Sequence, residues 1–166
     1  MSIVLGIDPG LANTGWGVLE SSSGRLKPIF YGCVITEAHE PMQQRIGCIA
    51  STLEQVIKRY DVTEASMEDI FFAKNASSAI SVAKVIGAIS YMLFINGIKL
   101  SLYTPLQIKS AIVGYGNADK RQVQEMARIL LGMDKVPSPN HAADALSAAV
   151  THTFFESTQS RLSLGK

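Results

Sequence analysis

Acidic and imidazole side chains occur in this sequence where strands end and where a helix begins. Asp8 closes the apolar stretch 3–7 and precedes Pro-Gly, which indicates a carboxylate at the end of a buried strand. Glu68 lies with Asp69 near the end of another predicted strand, at residues 62–70. His141 and Asp144 are three residues apart at the start of the last predicted helix, so they share one face. Carboxylate oxygens with an imidazole, and without thiolates, suit Mg²⁺ or Mn²⁺.

Each of these residues also has an ordinary structural explanation. Asp8 before Pro-Gly could simply form a turn, and His141 and Asp144 could cap or decorate a helix start. Asp69 follows Glu68, but neighbouring strand residues point to opposite faces, so only one of them can join Asp8. The four residues together therefore support a metal site better than any one of them alone.

Cations lie where a negatively charged ligand could reach them. Lys120 and Arg121 stand at the predicted start of a helix, where positive charge opposes the helix dipole. An external anion therefore explains them better than helix stability does. Lys109 lies on a short helix that Pro105 opens. Residues 71–75 form a predicted loop with two aromatic rings and a cation, although both rings could instead pack in the core.

The strand pattern predicts an antiparallel meander followed by alternating strands and helices. The first three strands are joined by short links, and Gly15 and Gly17 mark places where backbone or ligand approaches closely. Strands are predicted at residues 3–8, 14–20, 29–36, 62–70 and 99–104.

The helices differ in how much of their surface is apolar. Residues 42–60 carry a single apolar stripe, which is typical of an amphipathic helix on a sheet. Residues 77–96 are apolar on more than one face, so one side can contact the sheet and another a second subunit. The last helix, from near Asn140, is rich in alanine and slim enough to lie close to the sheet.

Length and composition favour one domain. The chain has 166 residues, 47% of them hydrophobic, enough for one substantial core. We assign residues 1–155 to a single domain and 156–166 to a polar, frayed tail. Residues 1–68 hold 5 Lys/Arg and 8 Asp/Glu, a balance of −3, whereas 69–166 hold 10 and 6, a balance of +4. This asymmetry fits a metal-dependent nuclease, and charges spread over helix surfaces fit equally well.

The sequence contains no apolar stretch long enough for a membrane-spanning helix, and we expect a soluble, cytoplasmic protein. Cys33 and Cys48 are expected to pack as small apolar side chains rather than form a disulfide.

Three motifs in a fixed order carry a family resemblance. They are GIDPG at 6–10, FAKNA at 72–76 and AADAL at 142–146, with Glu68 between the first two. The sequence resembles the RuvC family of Holliday-junction resolvases over nearly its whole length. GIDPG also begins other ribonuclease-H-like nucleases and actin-like ATPases, whereas the ordered set is highly specific. The resemblance implies an α/β, ribonuclease-H-like fold with a five-stranded mixed sheet flanked by helices.

The resemblance also implies a function. Such proteins act as homodimers that grip a four-way DNA junction and nick two strands of like polarity, leaving 5′-phosphate ends that a ligase can seal, in homologous recombination and DNA repair. The expected cofactor is Mg²⁺, with Mn²⁺ also supporting activity and two ions at each site. A branch-migration motor of the RuvA-RuvB type is implied as a partner, although no residue pattern marks that contact.

Residue roles follow from the matched motifs. Asp8, Glu68 and Asp144 match metal-binding carboxylates. His141 stands where many members carry a fourth carboxylate, which predicts an altered metal preference. Lys120 is expected to offset phosphate charge in the catalytic site. The expected DNA contacts are an aromatic ring that stacks on opened bases, its loop neighbours and nearby basic residues: Phe71, Phe72, Lys74, Asn75, Lys109, Lys120 and Arg121.

Three other functions can be weighed against this one. A kinase or ATPase requires a second glycine-rich phosphate loop and a longer chain, and neither is present in the sequence. A junction-binding scaffold without catalysis stays open if His141 disables the site. A related RNA-processing nuclease of the same fold also stays open, although the 72–75 motif and the apolar dimer helix argue against it.

Overall fold

The computed structural model describes residues 1–70 and 76–164, without the side chains of 76–78 and 159–164. Within this part of the chain there are five strands and five helices. Their order is β1 (Ser2–Asp8), β2 (Asn13–Ser22), β3 (Arg25–Ile35), α1 (Met42–Tyr60), β4 (Glu64–Glu68), α2 (Ala76–Ile95), β5 (Lys99–Tyr103), α3 (Pro105–Val113), α4 (Lys120–Leu130) and α5 (Asn140–Leu164).

The strands form one mixed sheet in the order β3-β2-β1-β4-β5. The predicted meander is present, because β1 pairs antiparallel with β2 and β2 with β3. Ser23 and Gly24 form the turn between β2 and β3, and both have positive φ angles, 49° and 79°. β4 adds parallel to β1, and β5 adds parallel to β4. The mixed five-stranded sheet is thus as predicted.

Helices cover both faces of the sheet. One apolar core joins Leu5 and Ile7 of β1 to the buried faces of α1 and α2. The other joins Val4 of β1 to α3, α4 and α5. Because side chains alternate along a strand, Val4, Gly6 and Asp8 all face α5. The strand therefore directs Asp8 toward the helix that carries His141 and Asp144.

The close contact between α5 and the sheet depends on glycines in β1 and β2, which have no side chain at the points of contact. A Cβ atom at Gly6 would overlap the carbonyl oxygen of Ala145, and one at Gly15 would overlap the carbonyl oxygen of His141. The alanines at 142, 143 and 145 are at most 1% exposed. The predicted close approach at Gly15 is confirmed, and the start of α5 lies directly over the strand ends.

Three sequence-based expectations need correction. The stretch 156–164, where no helix was predicted, is helical because α5 continues to Leu164; its assignment to a tail outside the domain stays a prediction. No glycine or proline interrupts 140–164, so the backbone has no reason to leave the helix earlier. Cys48 is exposed on α1 and does not pack as an apolar side chain, although both cysteines are free as expected. The β2–β3 hairpin is also longer than predicted, because β3 already begins at Arg25.

None of the helices in the described residues combines the length and apolarity needed to span a membrane.

Candidate metal-binding active site

The end of β1 and the first turns of α5 bring three ligand-type side chains together. Asp8, His141 and Asp144 each offer an atom that lies within 4.8 Å of the others. Asp8 is the last residue of β1 and pairs with Gly15 across the sheet. The missing side chain at Gly15 lets the His141 backbone approach that same pair. The sheet and α5 thus meet at the cluster itself.

Each of the two carboxylates in the cluster has hydrogen-bond donors. His141 Nδ1 lies 2.8 Å from Asp8 Oδ2, so the ring N–H donates to that carboxylate. Lys120 Nζ lies 2.6 Å from Asp144 Oδ2, and Gln124 Nε2 donates to Asp144 Oδ1 at 2.9 Å. The acidic charges are therefore partly compensated by the protein's own donors.

Glu68 lies beside the cluster at the end of β4. It lines a cavity of about 180 Å³ together with Asp144, Lys109 and Lys120. Asp69, the next residue, accepts a hydrogen bond from the backbone N–H of Ile70. Glu68 is thus the one of the two neighbouring acids that lines the cavity, and its role as a ligand beside Asp8 stays a prediction.

The acidic cluster resists full ionisation. Burial raises the pKa of Glu68 to about 7, and the charges of Asp8 and Asp144 add to the increase. Burial likewise raises the pKa of Asp8 against the opposing hydrogen bond from His141. Partial burial is the largest single influence on Lys120 and lowers its pKa, but the hydrogen bond to Asp144 and the negative charges of Asp144, Asp8 and Glu68 together outweigh it, so the pKa is raised. Such repulsion between carboxylates is relieved when a cation binds among them.

The donor set fits a hard divalent cation. Two carboxylates and one imidazole lie within 4.8 Å of one another, and Glu68 adds a third carboxylate at the margin. Oxygen-rich sites of this kind hold Mg²⁺ or Mn²⁺. The hydrogen bond from His141 Nδ1–H to Asp8 leaves Nε2 as the ring atom with a free lone pair.

The predicted basic residues separate into two groups. Lys109 and Lys120 both line the cavity beside the carboxylates. Lys120 was expected to need an external anion, but Asp144 already provides it with an internal one. Arg121 instead lines a different groove, next to Tyr115 and Glu125. Its contact with DNA stays a prediction. The predicted contacts Phe71, Phe72, Lys74 and Asn75 lie outside the described residues.

Sequence reasoning missed Gln124. Its amide group donates to Asp144, and its side chain is only 7% exposed. One signal was present in the sequence, since Gln124 follows Lys120 by one helical turn and must share its face. That spacing alone does not reveal which carboxylate the face contacts.

Comparison of the sequence with known proteins identifies a family. The family model described as Crossover junction endodeoxyribonuclease RuvC matches residues 4–152. The chain belongs to the RuvC family. RuvC of Treponema pallidum strain Nichols is 44% identical over 92% of this chain and 78% of its own length. RuvC of Caldanaerobacter subterraneus is 41% identical over 98% of this chain and 99% of its own.

Solved structures agree in fold. RuvC from Thermus thermophilus, in a complex with Holliday junction substrate, superposes with a TM-score of 0.89 at 33% identity. The match covers 94% of this chain and 95% of that one. The yeast mitochondrial Holliday junction resolvase Ydc2 shares the fold with a TM-score of 0.66 at 12% identity, over 89% of this chain and 77% of that one. The predicted family and the ribonuclease-H-like fold are confirmed.

Proposed function

We propose that this protein resolves four-way DNA junctions by hydrolysing one phosphodiester bond in each of two strands of like polarity. The observation that carries the proposal is the convergence of Asp8, His141 and Asp144 at one point, in a chain that belongs to the RuvC family. Lys109 and Lys120 beside them provide positive charge for a phosphate. The protein would act on DNA in the cytoplasm during recombination and repair.

Asp8, Glu68, His141 and Asp144 are proposed to hold two Mg²⁺ ions, with Mn²⁺ as an effective substitute. Bound divalent cations lower the pKa of an attacking water and stabilise the leaving oxygen. The water oxygen bonds to phosphorus, the bond from phosphorus to the 3′ oxygen breaks, and the products are a 5′-phosphate and a 3′-hydroxyl. The chain contributes by fixing the ligands on a strand end and a helix start, both rigid elements.

Lys120 is proposed to contact the scissile phosphate. Its side chain is 58% exposed while its ammonium group touches Asp144. With a cation held by Asp144, this ammonium group would be repelled from the carboxylate and could donate to a phosphate oxygen. Lys109, which lines the same cavity, is proposed to stabilise the negative charge of that phosphate.

A homodimer is proposed because a junction presents two equivalent strands. Exposed apolar residues on α2 form one stripe: Ile80, Tyr91 and Phe94 are 58%, 66% and 77% exposed. Their spacing of eleven and three residues places them on one helical face. The opposite face of α2, which includes Val85 and Ile89, is buried in the apolar core between this helix and the sheet. A branch-migration motor of the RuvA-RuvB type is proposed as a further partner from family membership.

The test is cleavage of a synthetic four-way junction and a linear duplex of the same sequence, each with Mg²⁺ or Mn²⁺. We expect paired nicks in the junction only. Asp144→Asn should bind the junction and lose cleavage, because it removes a ligand charge without changing volume. Loss of several kcal/mol of transition-state stabilisation corresponds to a rate decrease on the order of 100-fold or more.

Asp61→Asn provides the matched control, since Asp61 is an exposed acid at the end of α1. This variant should cleave normally. Junction binding by the wild type without nicks under either metal would favour a non-catalytic scaffold. Preferential cutting of RNA-containing substrates would favour an RNA-processing nuclease.

A further inference from the structure

The side chain of Gln124 is a polar group on the buried, otherwise apolar face of α4. It is 7% exposed and lies between the buried residues Val123 and Ala127 on α4. A buried amide is costly unless it is hydrogen-bonded. The partner of its Nε2 atom is Asp144 Oδ1 at 2.9 Å. A glutamine at this position is therefore explained by the carboxylate that it contacts.

Two donors from one helix hold the two oxygens of Asp144. Lys120 contacts Oδ2, and Gln124, one turn later on α4, contacts Oδ1. With both oxygens engaged, rotation of the carboxylate about its terminal torsion is restricted. Each oxygen still retains a second lone pair for another ligand.

These two donors respond differently to a cation. The side chain of Lys120 is 58% exposed and its ammonium group is positively charged, so a cation held by Asp144 would repel it toward solvent or a phosphate. The amide of Gln124 is neutral and buried, so its hydrogen bond is compatible with a cation on the same carboxylate. Of the two contacts, that of Gln124 is therefore the one expected to persist and to orient Asp144 while metal is bound.

We propose that Gln124 is a positioning residue that orients Asp144 for metal binding. The inference rests on the proposed function, since it assigns Asp144 to the metal site. Outer hydrogen bonds of this kind typically change metal affinity about 10- to 100-fold. Gln124 is thus expected to set the metal affinity of the site without touching the metal or the DNA.

The test compares Gln124→Met with Gln122→Met. Methionine keeps the length of glutamine and removes the donor. Gln122 lies on the same helix, is exposed, and hydrogen-bonds Asp119 in the helix cap. Free Mn²⁺ is counted by electron paramagnetic resonance during titration of each protein without DNA. In parallel, single-turnover junction cleavage is measured against Mn²⁺ concentration, and metal-free junction binding by gel shift.

We expect Gln124→Met to raise the Mn²⁺ concentration for half-saturation about 10- to 100-fold in both titrations. Metal-free junction binding should be unchanged, and cleavage should recover in part at high Mn²⁺. Gln122→Met should match the wild type in Mn²⁺ affinity. If Gln124→Met does not fold, Gln124→Asn takes its place, because its amide is one methylene too short to reach Asp144.

Unchanged Mn²⁺ affinity in a folded Gln124 variant overturns the proposal. An equal change in Gln122→Met also overturns it, since both then act through the stability of α4. These results are distinguishable from failure of the proposed function, in which the wild-type protein itself neither binds Mn²⁺ nor cleaves junctions.

Discussion

His152 Nε2 lies 2.7 Å from Glu64 Oε2, at the end of β4 opposite to Glu68. Glu68 follows Glu64 by four positions along the strand, a distance of about 13 Å. On α5, His152 follows Asp144 by eight positions, about 12 Å of helix. The matching lengths allow α5 to run antiparallel along β4, with the candidate active site at one end and the His152–Glu64 contact at the other.

This contact is expected to anchor α5. His152 is 1% exposed, and its Nδ1 atom also lies 2.9 Å from the hydroxyl of Tyr103. His152→Leu leaves that buried hydroxyl and the Glu64 carboxylate without their partner, so we expect a loss of about 2–4 kcal/mol in the free energy of unfolding. Urea denaturation measures it.

Two controls accompany the His152 variant. His39→Leu alters an exposed histidine and should change the free energy of unfolding by no more than about 0.5 kcal/mol. The double variant with Tyr103→Phe should lose less than the sum of the single losses, because both remove one shared hydrogen bond. Equal stability of His152→Leu and wild type would show that the anchor has no energetic role.

The individual elements around the site could be predicted from local sequence. Asp8 lies before a Pro-Gly break, so the end of β1 is marked by backbone chemistry alone. Gly15 and the alanines after His141 indicated a close helix–strand approach, which the overlap of a Cβ at Gly15 with the His141 carbonyl confirms. These features depend on residues near in sequence or on one periodic face.

The contacts between distant elements could not be predicted in the same way. Gln124 with Asp144 and His152 with Glu64 each join residues on separate elements. Their pairing depends on how far α4 and α5 slide along the sheet, which no local pattern specifies. Lys120 is an example. Its position at a helix start predicted an external anion as its partner, whereas in the structure it contacts Asp144 of α5.

The stability of the metal-free protein should fall as pH rises through the titration of Glu68. An unfolded glutamate ionises near its ordinary value of 4.5, whereas folded Glu68 holds its proton up to a pKa of about 7. The folded state therefore binds more protons between these values, and stability decreases with pH there. Glu68→Gln should be more stable than wild type at pH 8, by up to about 3 kcal/mol.

Urea denaturation in the presence of a chelator, at intervals from pH 4 to 8, checks the Glu68 prediction. The advantage of Glu68→Gln should disappear near pH 4 and reverse at pH 8 when Mn²⁺ is added, since the metal favours the ionised carboxylate. Glu20→Gln makes the same chemical change near the opposite end of the β1–β2 pair and serves as control. Parallel curves for Glu68→Gln and wild type would contradict the assignment.

Replacement of Phe94 on α2 should weaken the proposed dimer. Phe94 is 77% exposed in the single chain. In a two-fold symmetric dimer, each substitution is present in both copies of the interface. Losing two buried phenylalanine side chains costs enough that Phe94→Arg should weaken dimerisation on the order of 100-fold or more. Light scattering over a concentration series measures this. The control Ile129→Arg, on the exposed surface of α4, should remain dimeric. If the Phe94→Arg protein were still a dimer, the interface would lie on another surface.

His141 is expected to set the metal preference. An imidazole contributes a neutral nitrogen ligand, and an aspartate would contribute an anionic oxygen, which Mg²⁺ prefers. His141→Asp should therefore raise Mg²⁺-supported cleavage relative to Mn²⁺-supported cleavage by about tenfold, equivalent to about 1.4 kcal/mol. The same change removes the ring N–H that donates to Asp8, so the metal-free variant should be less stable than wild type.

Acid sensitivity provides a second measure of the role of His141. Protons compete with the metal at Glu68, whose pKa is about 7, and also at the imidazole, which binds metal only in its neutral form. His141→Asp removes the second competition, so the acid limb of cleavage should become less steep and move to lower pH. Single-turnover rates with each metal across roughly pH 5.5–8 test this. His141→Glu is measured in parallel in case the shorter aspartate does not reach the ion. The control His39→Asp should change neither the acid limb of the pH–rate profile nor the ratio of Mg²⁺- to Mn²⁺-supported cleavage. If both His141 variants kept the wild-type limb and ratio, the imidazole would not be a metal ligand, and its hydrogen bond to Asp8 would be its whole contribution to the site.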